Sequence, residues 1–125
     1  MKMAALIARL LLGLIFTVFG LNGFLHFIPN MQTPDRAVAF FTAMAATGYM
    51  LPLLFATQVL GGVLLLLGRF VPLALVLLAP VVVNIVMFHM FLAPGGLPLA
   101  IVVAALELFL AWTRRDAFTS MLRAT

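Results

Sequence analysis

The sequence contains no cysteine and very few charged residues. Without cysteine, the chain can form no disulfide bond, no thiolate metal site and no cysteine nucleophile. Charged residues make up only 8% of the chain, whereas a soluble globular domain contains roughly 25%. So few charges cannot cover a surface that faces water, and 66% of the residues are apolar. The composition therefore indicates a protein that lies in a membrane.

Motifs that are typical of catalysis or of nucleic-acid binding are also missing. The sequence has no nucleophile triad, phosphate-binding loop, pair of catalytic carboxylates or metal-ligand spacing. Its net charge of +4 comes from basic residues that are scattered between apolar runs. Because they form no basic stripe, we expect no binding to nucleic acid. These absences argue against a free-standing enzyme and favour an accessory, binding or structural role.

Four long apolar segments run through the chain, and each can cross a bilayer as a helix. A spanning helix needs about 20 mostly apolar residues, and continuous rather than alternating apolarity argues against barrel strands. The segments cover residues 4–28, 49–68, 71–92 and 97–113. The predicted fold class is an all-α membrane protein, a bundle of four transmembrane helices in which residues 1–125 form a single domain.

A short helix is expected in the one long connection, between the first two spans. Thr33, Pro34 and Asp35 are typical of an N-cap, a first helical position and an acidic first turn. Gly48 supplies a C-terminal stop. Residues between these points, such as Phe40, are too apolar for a helix that water surrounds. We therefore predict a helix that lies flat at the membrane interface.

The basic residues near the helix ends predict the orientation, because cytoplasmic loops are enriched in Lys and Arg. Only Arg36 falls on the side of the short helix. The other six basic residues fall on the opposite side: Lys2, Arg9, Arg69, Arg114, Arg115 and Arg123. This asymmetry predicts a multi-pass protein whose N and C termini are both cytoplasmic.

Seven amide, imidazole or charged side chains lie within the predicted spans, where such groups are costly and are candidates for function. They are Arg9, Asn22, His26, Gln58, Asn84, His89 and Glu107. A helix rises about 1.5 Å per residue, which places His26 and His89 near the outer ends of their spans. Asn22 lies four residues before His26 and shares its helix face. The sequence therefore predicts an outer pocket formed by Asn22, His26 and His89.

Three interpretations of this outer pocket remain open. The two histidines can extend toward the lipid headgroups and bind nothing. They can also hold the head group of a quinone or a similar small molecule by hydrogen bonds, or ligate haem or copper. Because no cysteine is available as a further ligand, quinone is favoured over haem and copper, and no dedicated metal site is predicted.

The remaining polar residues are expected in buried contacts near the membrane midplane. An unpaired ionised carboxylate is very unfavourable in hydrocarbon, so Glu107 must be protonated, hydrogen-bonded or paired. Arg9 is the basic residue within reach, which predicts an Arg9–Glu107 ion pair, with a proton or substrate relay through Glu107 as the alternative. Gln58 and Asn84 are expected to join helices, as buried amides do for about 0.6 kcal/mol on average.

Four stretches occur in a characteristic order: ARLLLG at 8–13, TGY at 47–49, GGVLLLLG at 61–68 and NIVMFHMFLAP at 84–94. In these stretches, and across nearly its whole length, the chain resembles the DoxX family. Members of that family are bacterial and archaeal four-helix membrane proteins, named from a subunit linked to thiosulfate oxidation with quinone. Many relatives carry an acidic residue where this chain has Gln58, so a proton-linked role for that carboxylate does not carry over.

The resemblance implies an accessory subunit of a redox system in the inner membrane of a bacterium or archaeon. Such a subunit would bind quinone or a similar lipophilic molecule and contact an oxidoreductase partner, and self-association into a homo-oligomer stays open. Two alternatives from other classes remain. One is a small transporter or channel lined by Gln58, Asn84 and Glu107, although a conducting path needs polar residues at every depth. The other is a structural membrane scaffold.

Overall fold

The computed structural model describes residues 2–25 and 35–121, and every regular element in these two ranges is a helix. The elements are α1 (Lys2–Leu25), α2 (Asp35–Ala46), α3 (Met50–Leu67), α4 (Val71–Phe91), a 3₁₀ turn (Pro94–Gly96), α5 (Leu97–Thr113) and α6 (Arg115–Met121). The predicted all-α fold class is confirmed, as is the short helix between the first two spans.

Four helices are long and apolar enough to cross a membrane, and they correspond to the four predicted spans. They are α1, α3, α4 and α5 together with its preceding 3₁₀ turn. The predicted span 97–113 coincides with α5, and α4 ends one residue before the predicted end at residue 92. Residues 26–28, which were assigned to the first span, lie outside the described residues.

Large apolar side chains cover the outside of the spans. Six that are more than half exposed are Ile7, Leu14, Leu60, Leu73, Ile101 and Leu108. Contact of this surface with water would cost about 25 cal/mol per Å², whereas lipid tails are as apolar as leucine. The outer surface is therefore suited to lipid, and the protein is a multi-pass membrane bundle.

The spans follow chain order around the bundle. α1 packs most extensively against α3, α3 packs against α4, α4 against α5, and α5 against α1. The short connections after α3 and α4 make α3, α4 and α5 alternate in direction. α1 is antiparallel to α3, because Phe24 near the end of α1 contacts Phe55 near the start of α3. The C-terminal ends of α1 and α4 therefore share one end of the bundle with the N-terminal ends of α3 and α5. We call this the α2 end, and the opposite end the α6 end.

Small residues bring α1 and α3 into close contact. A Cβ atom added to Gly62 of α3 would lie 2.6 Å from the backbone nitrogen of Thr17 and 2.8 Å from the carbonyl oxygen of Gly13, both in α1. Backbone atoms cannot rotate away as a side chain can. Close packing of small residues is a main source of helix association in lipid, so these positions set the distance between the two helices.

Replacing Gly62 with valine is expected to destabilise the bundle by about 1–3 kcal/mol, because overpacking at a backbone contact forces α1 and α3 apart. The temperature at which half of the purified protein loses its monodisperse form should fall. Gly95→Val is the matched control, since a Cβ at Gly95 meets nothing within 4 Å. Equal stability of the two variants would contradict the close α1–α3 contact.

Leucines fill the α6 half of the bundle and form a continuous apolar core. Each of the following is at most 2% exposed: Leu12, Leu65, Leu75, Leu78 and Leu110. They come from all four spans. We call this set the leucine core. It closes the α6 half of the bundle to polar molecules.

Two helices do not span the membrane. α2 begins at Asp35, as expected, and the predicted capping residues Thr33 and Pro34 lie outside the described residues. Ala37 and Met44 are its buried residues. The helix α6 was not predicted from the sequence, and Phe118 in its middle packs against the apolar core. The C-terminal residues up to Met121 thus fold back onto the bundle.

Candidate functional site

A cavity of about 690 Å³ lies between the four spans in the α2 half of the bundle. Its walls come from the C-terminal halves of α1 and α4, the N-terminal halves of α3 and α5, and α2. The antiparallel order of the spans is what brings these segments together. Small-molecule sites typically measure about 300–1,000 Å³, so the cavity has the size of a ligand site. We call it the α2-end cavity.

Phenylalanine rings make up much of the cavity wall. Seven of them contribute: Phe16, Phe19, Phe24, Phe40, Phe41, Phe55 and Phe88. The ring of Phe88 in α4 lies 5.6 Å from that of Phe40 and 5.2 Å from that of Phe41, both in α2. On the other side, Phe24 of α1 meets Phe55 of α3 edge to face at 6.0 Å. These contacts hold α2 and α1 against the rest of the cavity wall.

Four polar side chains line the same cavity: Asn22, Gln58, Asn84 and His89. Gln58 is only 8% exposed, so it sits deep in the bundle. The cavity therefore combines an aromatic wall with amide and imidazole groups from three different spans.

The imidazole of His89 is held in one orientation. Its Nδ1 lies 3.1 Å from the carbonyl oxygen of Ala93. Because a carbonyl oxygen only accepts, Nδ1 is the donor, and in the neutral ring Nε2 is then an acceptor. The ring packs edge to face on Phe88 at 5.1 Å, and a Cβ on Gly96 would overlap it. Glycine at position 96 thus makes room for the ring.

The structure groups the predicted site residues differently from the sequence analysis. Asn22 and His89, which were assigned to the outer pocket, do line one cavity. His26 lies outside the described residues, so its part in that pocket stays a prediction. Gln58 and Asn84 were expected in midplane contacts, whereas the structure places them in the same cavity as Asn22 and His89.

Arg9 lies at the other end of the bundle, near the end of α3. Its Nη1 donates to the carbonyl oxygen of Leu65 at 2.6 Å and to that of Leu66 at 3.4 Å. Gly68, which ends α3 with a φ of +70°, leaves space for the guanidinium, since a Cβ there would lie 2.5 Å from Nη1. A cation at a helix C-terminus also interacts favourably with the helix dipole. Arg9 therefore caps α3.

The expected ion pair between Arg9 and Glu107 is not formed between these two described residues. Arg9 donates to α3 instead, and Oε1 of Glu107 is buried without a hydrogen-bond partner in the described part of the chain. Glu107 lines a second cavity of about 510 Å³ between α4 and α5. Arg9 therefore bonds the carbonyl groups at the end of α3, which are its nearer partners, and Glu107 lies apart from it between α4 and α5.

Replacing Arg9 with leucine is expected to cost about 1.5–3 kcal/mol, the usual range for hydrogen bonds to a charged group. Because Glu107 is not its partner, adding Glu107→Leu should not restore stability, and the two effects should add within about 0.5 kcal/mol. Thermal unfolding of the single and double variants measures this. Arg69→Leu, at an exposed arginine, is the control. Full rescue by the double change would instead indicate a direct ion pair.

The aromatic part of the cavity was not predicted from the sequence, although a signal was present. Phe19 precedes Asn22 by three residues, and Phe55 precedes Gln58 by three. Phe88 follows Asn84 by four residues. Side chains three or four residues apart share a helix face, so each of these three polar residues has a ring beside it.

In residues 2–25 and 35–121, no three His, Cys, Asp or Glu side chains come together as potential metal ligands.

The four apolar spans and the cavity between them define a multi-pass helical membrane protein. The chain belongs to the DoxX family: the DoxX family model matches residues 4–91, which run from the first span to the end of the third. Neither the curated proteins nor the solved structures give a match. The matched residues include three of the four spans and all four polar side chains of the α2-end cavity.

Proposed function

We propose that this protein binds quinone or a similar lipophilic ring compound in the α2-end cavity, as an accessory subunit of a redox system in the inner membrane of a bacterium or archaeon. The observation that carries the proposal is the convergence of seven phenylalanines and four polar side chains on one cavity of about 690 Å³. A ligand that fits this wall has an apolar body and a few polar atoms at fixed positions.

The aromatic wall favours a planar ring as the ligand head. Aromatic pairs with offset or edge-to-face geometry gain about 0.5–1.5 kcal/mol beyond the burial of their surface. Phe55 and Phe88 lie on α3 and α4, each one turn from an amide that lines the same cavity. A ring held between such side chains would present its oxygen atoms to the neighbouring amides.

The polar groups match the oxygen atoms of a quinone in both of its redox forms. The amide N–H groups of Gln58 and Asn84 can donate to the carbonyl oxygens of the oxidised form, and the amide oxygens can accept from the hydroxyl groups of the reduced form. With Nδ1 donating to Ala93, the Nε2 atom of His89 is an acceptor that suits a hydroxyl group. These three side chains can therefore hydrogen-bond a molecule whose oxygen atoms change between carbonyl and hydroxyl groups.

The distribution of polar side chains supports a channel less well than a binding site. The polar side chains Asn22, Gln58, Asn84 and His89 all lie in the α2 half. The leucine core fills the other half, with each leucine at most 2% exposed. In α3 after Gln58 and in α4 before Asn84, no polar side chain continues the lining toward the α6 end, so the cavity has the form of a binding site.

The identity of the bound ligand can be tested directly by purifying the protein in a mild detergent and extracting its lipids for mass spectrometry. We expect quinone at close to one molecule per protein, well above the amount that a four-span membrane protein of another family retains under the same conditions. Optical spectra of the same sample report haem or copper. Quinone at the background level would contradict the proposal and favour the scaffold alternative.

The orientation is a separate proposal that rests on the distribution of basic residues. With both termini cytoplasmic, a fluorescent reporter fused after Thr125 should be active in the cytoplasm. A phosphatase inserted at Gly95, in the exposed turn before α5, should be active outside. The opposite pattern would place the α2-end cavity on the cytoplasmic side of the membrane.

A further inference from the structure

A second cavity of about 510 Å³ lies between α4 and α5, and extends toward the α6 end of the bundle. Eleven of its twelve lining residues are apolar, and the twelfth is Glu107. Phe118 of α6 contributes to the wall near the end of α5. We call this cavity the Glu107 groove. It shares no lining residue with the α2-end cavity.

One oxygen of the Glu107 carboxyl group is buried without a partner among the described residues. The residue is only 6% exposed, and the buried oxygen is Oε1. A buried polar group without a partner costs free energy, and an ionised carboxylate costs far more. Because Arg9 donates to α3, the basic residue expected to pair with Glu107 does not offset this cost.

The groove opens sideways, toward the surface that faces lipid. Val83 and Met87 of α4 and Leu108 of α5 line it, and these side chains are 62%, 47% and 70% exposed. Glu107 is adjacent in sequence to Leu108, yet it points into the bundle. A molecule dissolved in the bilayer can therefore enter the groove beside Glu107 without crossing the bundle.

We propose that the Glu107 groove binds a lipophilic amine, whose ammonium group pairs with the Glu107 carboxylate while its apolar body lies between α4 and α5. The apolar lining fits a hydrocarbon body, and the single acidic group fits a single cationic head. Hydrogen bonds between charged partners are about twice as strong as neutral ones, which favours an amine over an alcohol of the same size. This proposal is independent of quinone binding in the α2-end cavity.

The chain offers a direct test because Glu107 is its only glutamate. Cell-free synthesis with glutamate labelled with ¹³C at the side-chain carboxyl gives one carboxyl signal in the full-length protein in lipid nanodiscs. We expect this signal to be that of a neutral carboxylic acid. Octylamine should convert it to that of a carboxylate in a saturable manner, whereas 1-octanol should not.

Two neighbouring alanines provide matched variants. Ala104 lines the groove and Ala105 does not, so Ala104→Leu should at least halve the response to octylamine, whereas Ala105→Leu should leave it unchanged. Val83→Phe at the rim is a second blocking variant if Ala104→Leu fails to fold. The proposal is overturned by an equal response to octanol, by no response to octylamine, or by a carboxylate signal before any amine is added. A full response in both blocking variants would overturn it as well.

Discussion

Replacing Gln58 with leucine is expected to weaken quinone binding about tenfold or more while the bundle remains folded. Gln58 is the most deeply buried of the four polar side chains in the α2-end cavity, so its amide would bond a ligand oxygen away from competing water. Loss of one such hydrogen bond leaves the ligand oxygen unpaired, at a cost of about 1–3 kcal/mol. Equilibrium binding of decylubiquinone to the protein in nanodiscs, with empty nanodiscs subtracted, measures the change.

Thr57→Val is the matched control for this substitution. Thr57 precedes Gln58 but does not line the cavity, and its hydroxyl group donates to the carbonyl oxygen of Leu53 in the same helix at 2.8 Å. The Thr57→Val variant should bind decylubiquinone as tightly as the unchanged protein does. His89→Leu should weaken binding as Gln58→Leu does, whereas Met90→Leu, at an exposed neighbour, should not. Unchanged binding in both the Gln58 and the His89 variants would rule out the site.

Replacing Phe88 with alanine is expected to release α2 from the bundle. The Phe88 ring contacts both aromatic rings of α2, at 5.6 Å and 5.2 Å, and it also packs against His89. A large aromatic side chain in a core contributes about 3–5 kcal/mol, and Phe88 is half-buried, so we expect a loss of up to about 3 kcal/mol. Hydrogen–deuterium exchange of the α2 amides should become at least tenfold faster.

Phe91→Ala provides the comparison for Phe88→Ala. Phe91 lies on the same helix, three residues further on, but it is 58% exposed and does not line the α2-end cavity. Its loss should leave the exchange of residues 35–46 unchanged. If the two variants behave alike, the ring contacts of Phe88 do not hold α2 in place.

The four spans were predictable because their physical cause is local. Hydrocarbon provides no hydrogen-bond partners, so an apolar stretch of about 20 residues must form a helix whatever the rest of the chain does. The helix α2 was also predictable, from Asp35 at its start and from its apolar residues. The helix α6 was missed because it is short. Its one packed aromatic residue, Phe118, contacts the core of the folded bundle, and the sequence alone does not show that contact.

The pairing of side chains was less predictable, because it depends on how helices rotate and pack. Arg9 and Glu107 are opposite charges at compatible depths, which predicts an ion pair. The structure instead gives Arg9 the carbonyl oxygens of Leu65 and Leu66. Depth along a helix can be counted from the sequence, whereas the direction of a side chain around the helix axis cannot when nearly every neighbour is apolar.

Gln58 and Asn84 also show that the direction of a side chain around the helix axis could not be predicted from the sequence. The sequence places both near the membrane midplane, and amides at that depth commonly join helices. Only the folded bundle shows that they line one cavity with Asn22 and His89. The aromatic residues beside them on the same helix faces were a usable signal, since Phe55 and Phe88 lie one turn away from the two amides.

Photocrosslinking tests most directly the central claim that a lipophilic ring occupies the α2-end cavity. A quinone with a photoreactive azide on its ring would be added to the protein in nanodiscs, irradiated, and located by mass spectrometry of the peptides. We predict labels on cavity-lining residues such as Phe55, Met44 and Phe88, and displacement of the label by excess decylubiquinone. Labels confined to lipid-facing residues such as Leu14 and Ile101, without displacement, would contradict the claim.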